Sequence, residues 1–160
     1  MRNDKRQTRF QLLGELGELT VIQTCGCPRC KQVRTLRRLR ANFKAADIIC
    51  DFCGFTAQAK AVTVTKRNQQ LKSLLGAAWS VQNERMKSHI YLPLFIVTVY
   101  KGQPERVLYV PSDLQGPKMF KPRKPLSATA RRAGWQGFVY DLSVLPPGIP
   151  VLLWEPPKHR

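Results

Sequence analysis

The chain has 160 residues, of which 27 are lysine or arginine and 10 are aspartate or glutamate, giving a formal net charge of +17. This length suits one ordinary domain with its own apolar core, so we expect a single domain over residues 1–160. No apolar stretch approaches the roughly 20 residues of a membrane-spanning helix. The charged start, Met1 to Arg6, has no apolar signal core. The sequence therefore predicts a soluble, cytoplasmic protein with no membrane partner.

The positive charge is spread along the chain, over residues 34–44, 60–72 and 118–132. Because it is not confined to a tail, we expect a basic folded surface, and nucleic acid is the polyanion that such a surface most commonly meets. Association with the ribosome or with an anionic membrane surface is the alternative interpretation.

The first predicted element is a helix over residues 5–19, with Phe10, Leu13, Leu16 and Leu19 as its apolar stripe and Asn3 or Asp4 as its cap. Glu15 and Glu18 share a face of that helix. They are either solvated charges or carboxylates that point into a cleft. Residues 20–24 are predicted to form a short strand.

The remaining elements are two predicted hairpins, a second helix and two late strands. Strands over 45–50 and 55–65 flank a tight turn at 50–54, and a helix is expected over 68–87. Strands over 91–100 and 107–110 flank a turn at 101–104. A Pro- and Lys-rich loop follows over 111–125, and the last strands are expected near 137–142 and 151–154.

Four cysteines have the spacing of a zinc site. Cys27 and Cys30 are separated by two residues, as are Cys50 and Cys53, and 19 residues lie between the pairs. Two such turns supply the closed tetrahedron of thiolates that a structural Zn²⁺ prefers. We therefore predict a four-cysteine zinc knuckle within residues 25–53, with Cys25 as a spare packed thiol.

The predicted first hairpin carries an acid, an amide and a lysine. Asp47 lies on its first strand, and Gln58 and Lys60 project from one face of its second strand, since side chains alternate. This is the layout of a PD-(D/E)xK endonuclease site, in which a carboxylate and a neighbouring acceptor hold Mg²⁺ and a lysine orients the attacking water. The pattern alone is also compatible with a solvated glutamine and a lysine that contacts phosphate.

A longer stretch resembles a known family. Residues 123–137, RKPLSATARRAGWQG, followed by Asp141-Leu142-Ser143, are similar to a segment of the DpnI family of restriction endonucleases, which cut adenine-methylated DNA. The order of the helix, the cysteine pairs, Asp47 and Lys60 also fits. The resemblance covers about residues 8–154.

The resemblance implies a role for each matching position. Asp47 and Gln58 would hold Mg²⁺, Lys60 would be the catalytic lysine, and the four cysteines would hold zinc. Two departures matter: Gln58 stands where the type member of the family has glutamate, and this sequence ends at Arg160, where that member continues into a winged-helix domain. Glu18 or Glu15 would then supply the missing negative charge.

Basic residues near the resembling segment have the composition of a DNA contact. Guanidinium groups suit phosphates and guanine edges, and an indole can stack on a base or pack in the core. Further lysines upstream, Lys118 among them, suit nonspecific phosphate contacts. The predicted DNA-binding residues are Lys121, Arg123, Lys124, Arg131, Arg132 and Trp135.

Together these observations predict an α/β protein: a restriction-endonuclease-like core with a mixed central sheet, flanking helices and an embedded zinc knuckle. Its predicted activity is Mg²⁺-dependent hydrolysis of double-stranded, adenine-methylated DNA. One alternative is a non-catalytic zinc-ribbon DNA-binding protein on the same scaffold. The other is a zinc-ribbon protein of the ribosome or the transcription machinery.

Overall fold

The computed structural model describes residues 7–158. In chain order its elements are α1 (Arg9–Thr24), β1 (Leu36–Arg38), β2 (Ile48–Cys50), β3 (Thr56–Val64), β4 (Ser73–Ala78), α2 (Trp79–Lys87), β5 (Leu94–Tyr100), β6 (Gln103–Val110), β7 (Phe120–Pro122), β8 (Gly137–Asp141) and β9 (Val151–Trp154). Short 3-10 turns lie at Ser112–Leu114, Pro117–Met119 and Leu142–Val144. Among the described helices, none has both the length and the apolarity that a membrane span requires.

The described residues form two compact units. Unit 1 holds α1, β1, β2, β3, β5, β9 and nearly all of β6, and unit 2 holds β4, α2, β7 and β8. The expectation of one domain over the whole chain stays a prediction.

Unit 1 is built on a six-stranded mixed sheet with the order β1-β2-β3-β5-β6-β9. The central pair, β3 and β5, is parallel, whereas β1 with β2, β2 with β3, and β6 with β9 are antiparallel. Phe95, Val97 and Val107 are fully buried in its core. The predicted mixed α/β class with a mixed sheet is confirmed.

Helix α1 begins at Arg9 because Thr8 caps it. The Thr8 hydroxyl accepts from the Gln11 amide, and the Gln11 side chain accepts from the Thr8 amide, which is a capping box. The predicted caps, Asn3 and Asp4, lie outside the described residues.

The predicted strand over residues 20–24 is wrong, because these residues are the last turns of α1. The hydroxyls of Thr20 and Thr24 donate to the carbonyls of Leu16 and Thr20 at 2.7 and 2.6 Å. Their polar groups are therefore satisfied within the helix, and Val21 between them is fully buried. Tertiary packing thus outweighs the weak strand preference of β-branched residues.

Helix α1 lies very close to β3 at Gly17. A Cβ built on Gly17 would lie 2.8 Å from the Cβ of Ala61. Ala59 and Ala61 pack with Leu13 and Leu16 of the helix around the same core. Small residues on both elements thus set how near the helix, and with it Glu18, comes to the strand.

Unit 2 is built on a three-stranded antiparallel sheet with the order β4-β8-β7. Its interior is aromatic: Phe120, Phe138 and Tyr140 have ring centroids 5.0–5.9 Å apart. The ring of Phe138 occupies the space where a Gly76 side chain would stand.

The predicted helix over residues 68–87 is only partly correct. Residues 79–87 form α2, but Ser73–Ala78 form strand β4. Leu74 is buried and Leu75 is 62% exposed, so burial alternates as in a strand rather than following one helix face. Pairing with β8 and the approach of Phe138 to Gly76 decide the conformation, and both partners are distant in sequence.

Both predicted hairpins are present, but β2 and β5 begin three residues later than expected, and β6 begins at Gln103, within the predicted turn at 101–104. The turn between β2 and β3 uses Gly54 at φ +77°, and Lys101 and Gly102 connect β5 to β6 with φ values of 48° and 77°. Strand β9 has the predicted bounds. The prediction omitted the short strands β1 and β7, which lie in basic and proline-rich stretches.

We predict that Gly17→Ala destabilises the protein by about 1–3 kcal/mol, because the added methyl group must push α1 away from Ala61. The matched control is Gly14→Ala on the same helix, where nothing lies within 4 Å of the added Cβ. The control should stabilise by roughly 0.5–1 kcal/mol through helix propensity. Urea unfolding measures both, and equal effects would contradict the close-contact explanation.

Candidate functional site

Four cysteines of unit 1 converge. The Sγ atoms of Cys27, Cys30, Cys50 and Cys53 all lie within 4.8 Å of one another. Sγ of Cys27 lies 3.7 Å from that of Cys53, and Sγ of Cys30 lies 3.8 Å from that of Cys50. With zinc–sulfur bonds of about 2.3 Å, the edge of a ZnS₄ tetrahedron is about 3.8 Å. The four thiols therefore fit a metal ion such as zinc, as the spacing predicts.

The two cysteine turns have the same backbone structure. In each turn the residue after the second cysteine, Lys31 or Gly54, donates its amide to the carbonyl of the first cysteine at 2.9 Å. Both of these residues have positive φ, 65° and 77°. The first cysteine in turn donates to the carbonyl five residues on, at 2.9 Å for Cys27 and 2.7 Å for Cys50. This repeated turn aims each pair of thiols at one point.

Without a metal, the thiols of Cys27 and Cys50 differ in pKa. Burial raises the pKa of Cys27 to about 12. Burial also acts to raise the pKa of Cys50, but hydrogen bonds with the Thr35 hydroxyl and with nearby backbone amides outweigh it and lower that pKa to about 6. A divalent cation supplies the positive charge that lets four adjacent thiols ionise together.

Cys25 lies outside this group. It is buried in the core of unit 1, and burial raises its pKa, while its neighbour Thr24 has its hydroxyl 3.5 Å from the thiol sulfur. This placement matches the expected packed thiol.

Asp47 lies directly before β2 and is held by three hydrogen bonds. Its amide donates to the Ala57 carbonyl at 3.0 Å, and its carbonyl accepts from the Leu39 amide at 2.8 Å. Its carboxylate accepts from the Ala59 amide at 2.9 Å. The carboxylate therefore satisfies a backbone amide on the edge of β3, just beyond the point where the pairing of β3 with β2 ends.

Gln58 and Lys60 flank that capped amide on β3. Both side chains are half-buried, and strand alternation puts them on the face opposite Ala59 and Ala61, which pack in the core with α1. The Asp47 carboxylate is thus hydrogen-bonded to the backbone amide of Ala59, the residue between Gln58 and Lys60. The structure brings the three predicted residues to the same stretch of β3.

Glu15 and Glu18 share one cation, Arg38 of β1. Arg38 Nε donates to Glu18 Oε2 at 2.9 Å, and Nη1 donates to Glu15 Oε1 at 3.4 Å. Burial is the main cause of a raised pKa at Glu18; the Arg38 hydrogen bond opposes it, and the negative charge of Asp47 adds to it. Glu18 and Asp47 are therefore electrostatic neighbours.

Sequence reasoning did not single out Arg38. It stands within a run of basic residues that suits general phosphate binding. Only the pairing of β1 with β2, which sets Arg38 opposite Ile48, places it one residue from Asp47 along the sheet.

The predicted DNA-binding residues lie in unit 2. Arg131 and Arg132 are exposed, and the Arg132 guanidinium lies 4.4 Å from the centroid of the half-buried Trp135 ring. Arg123 and Lys124 are also exposed. The Lys121 ammonium forms an ion pair with Asp141, lowering the pKa of that carboxyl to about 2 together with hydrogen bonds from Ser143.

We predict that Cys50→Ser abolishes stoichiometric zinc binding and unfolds the β2–β3 hairpin, because structural zinc is worth on the order of 10 kcal/mol in small modules. Zinc analysis and thermal melting with and without chelator measure this effect. Cys25→Ser, a buried thiol outside the group, is the matched control and should keep one zinc per chain. Unchanged melting of the wild type under chelator would contradict the coupling between metal and fold.

One family model matches this chain. The family model described as DpnI, the Dam-replacing family, matches residues 3–154, nearly the whole chain. The protein therefore belongs to the Dam-replacing family.

Proposed function

We propose that this protein is a metal-dependent DNA endonuclease that restricts adenine-methylated DNA. Membership of the DpnI family suggests a methylation-dependent nuclease. The observation that carries the proposal is the hydrogen bond from the Ala59 amide to Asp47 Oδ2 at 2.9 Å, between Gln58 and Lys60. The mixed sheet with α1 against β3 suits a restriction-endonuclease-like core, which is part of the same proposal.

The chemistry assigns one role to each side chain. Asp47 offers a carboxylate oxygen and Gln58 offers an amide oxygen. Hard oxygen ligands of this kind suit Mg²⁺. When bound, Mg²⁺ offsets the charge of the scissile phosphate and makes water more acidic. The Lys60 ammonium orients the attacking water beside the phosphorus, and a P–O ester bond breaks as the new one forms.

Because Gln58 is neutral, the proposed metal site needs a second acid, and Glu18 is the candidate. With an amide at position 58, Asp47 supplies only one negative charge to a divalent cation. Burial raises the pKa of Glu18, and the negative charge of Asp47 adds to that rise. We therefore place Glu18, with Glu15 behind it, as the acid that completes the site.

A second candidate function is a non-catalytic DNA-binding protein on the same scaffold, and Gln58 in place of an acid favours it. The two functions give different results with plasmid DNA. Incubation with Mg²⁺ or Mn²⁺ should cut plasmid from an adenine-methylating host and leave plasmid from a non-methylating host intact. Binding of both plasmids without any cutting would establish the binding protein instead.

We predict that Lys60→Ala lowers the single-turnover cleavage rate by at least about a hundredfold, the usual scale for a group that orients or transfers a proton. DNA affinity should change little, because one cation in a large basic surface is lost. Lys66→Ala, an exposed lysine just beyond β3, is the matched control and should cut normally. Unchanged turnover in Lys60→Ala would remove Lys60 from the mechanism.

We predict that Arg132→Ala weakens DNA binding and lowers the slope of log affinity against log salt by about 1, because one phosphate contact is lost. Lys87→Ala is the control in the same unit, since that lysine is already paired with Glu84 at 3.2 Å. Fluorescence anisotropy over a salt series measures both slopes. Equal slopes for the two variants would exclude Arg132 from the DNA contact.

A further inference from the structure

Arg38 is the cation of the cluster that contains Glu15 and Glu18. Its guanidinium reaches Glu18 at 2.9 Å and Glu15 at 3.4 Å. The three side chains are 21–37% exposed, so the cluster is open to solvent on one side. A partly exposed ion pair is weak, and another charged group can compete for either partner.

Arg38 is also anchored beside Asp47. On β1 it stands opposite Ile48, the residue after Asp47, and the next residue, Leu39, donates its amide to the Asp47 carbonyl at 2.8 Å. The Asp47 carboxylate is held in place by Ala59. Glu18, Arg38 and Asp47 are therefore linked by these contacts at one corner of unit 1.

Arg38 and a divalent cation would compete for the Glu18 carboxylate, because both are positively charged. Glu18 cannot give its full charge to a cation at Asp47 while its carboxylate is hydrogen-bonded to the guanidinium. Arg38 itself has a second class of partner, since a guanidinium binds phosphate through two parallel hydrogen bonds. An incoming DNA phosphate is therefore able to exchange with the glutamates at Arg38.

We propose that Arg38 is a positioning residue that acts as a latch: without DNA it retains Glu18, and a DNA phosphate that takes over the guanidinium releases Glu18 toward a cation at Asp47. This inference rests on the proposed function, since it assumes a cation at Asp47. Its consequence is reciprocal coupling, because DNA must raise metal affinity by the same factor by which metal raises DNA affinity.

The test measures Mn²⁺ affinity directly on the zinc-loaded protein, by titration calorimetry or by the electron spin resonance of free Mn²⁺. Arg38→Gln removes the charge and keeps a polar side chain. Arg37→Gln is the matched control, since the adjacent Arg37 pairs with Asp51 at 3.0 Å and is 57% exposed. Arg38→Lys restores the charge and should restore the coupling in part. Each variant is also measured with a methylated duplex in a Lys60→Ala background, in which the proposed cleavage is slowed.

Without DNA, Arg38→Gln should bind Mn²⁺ about two- to fivefold more tightly than wild type, the scale of one partly exposed ion pair. The duplex should tighten Mn²⁺ binding in wild type and Arg37→Gln, and much less in Arg38→Gln. In a Glu18→Gln background the effect of Arg38→Gln on Mn²⁺ affinity should vanish, which a double-mutant cycle measures even if each change costs some stability.

The outcomes separate the latch from the nuclease. If wild type binds Mn²⁺ no better than Asp47→Asn, no cation binds at Asp47 and the proposed function fails. If binding depends on Asp47 but Arg38→Gln matches Arg37→Gln or binds more weakly, the latch is overturned and the nuclease proposal stands. An undiminished effect of Arg38→Gln in the Glu18→Gln background would also overturn the latch.

Discussion

The hydrogen bond between the Asp47 carboxylate and the Ala59 amide determines the geometry of the candidate site. It holds only while β2 and β3 keep their register, because Asp47 precedes one strand and Ala59 lies on the other. Cys50 is the last residue of β2, and Cys53 lies in the loop that joins the two strands. A metal on the four cysteines therefore closes the hairpin whose edge the carboxylate caps, so the two candidate metal sites are mechanically linked.

The features that sequence predicts well are those that a few adjacent residues determine. The spacing of the cysteine pairs determines two five-residue turns. These turns determine where the thiols point. Gly54 and the Lys101-Gly102 pair mark hairpin turns because positive φ is needed there. The placement of Gln58 and Lys60 on one face follows from strand alternation alone.

The features that sequence misses are decided by distant partners. Thr20 to Thr24 prefer strands in isolation, but packing of Val21 in the core keeps them helical. Residues 73–78 carry apolar side chains at spacings that also suit a helix, and pairing with β8 makes them a strand. Arg38 looks like any other basic residue until β1 pairs with β2 and brings it to Glu15 and Glu18.

The distribution of charge explains how a site with few acids can exist in so basic a protein. Only 10 of the 160 residues are acidic, yet Glu15, Glu18 and Asp47 gather at one corner of unit 1. Neighbouring carboxylates repel one another, and a guanidinium among them reduces that cost when no metal is bound. In the proposed nuclease Gln58 brings no charge, so Glu18 of α1 would supply it, and the close contact of Gly17 with Ala61 sets how near that helix lies to β3. The small residues on α1 and β3 are thus as important for the candidate chemistry as the charged ones.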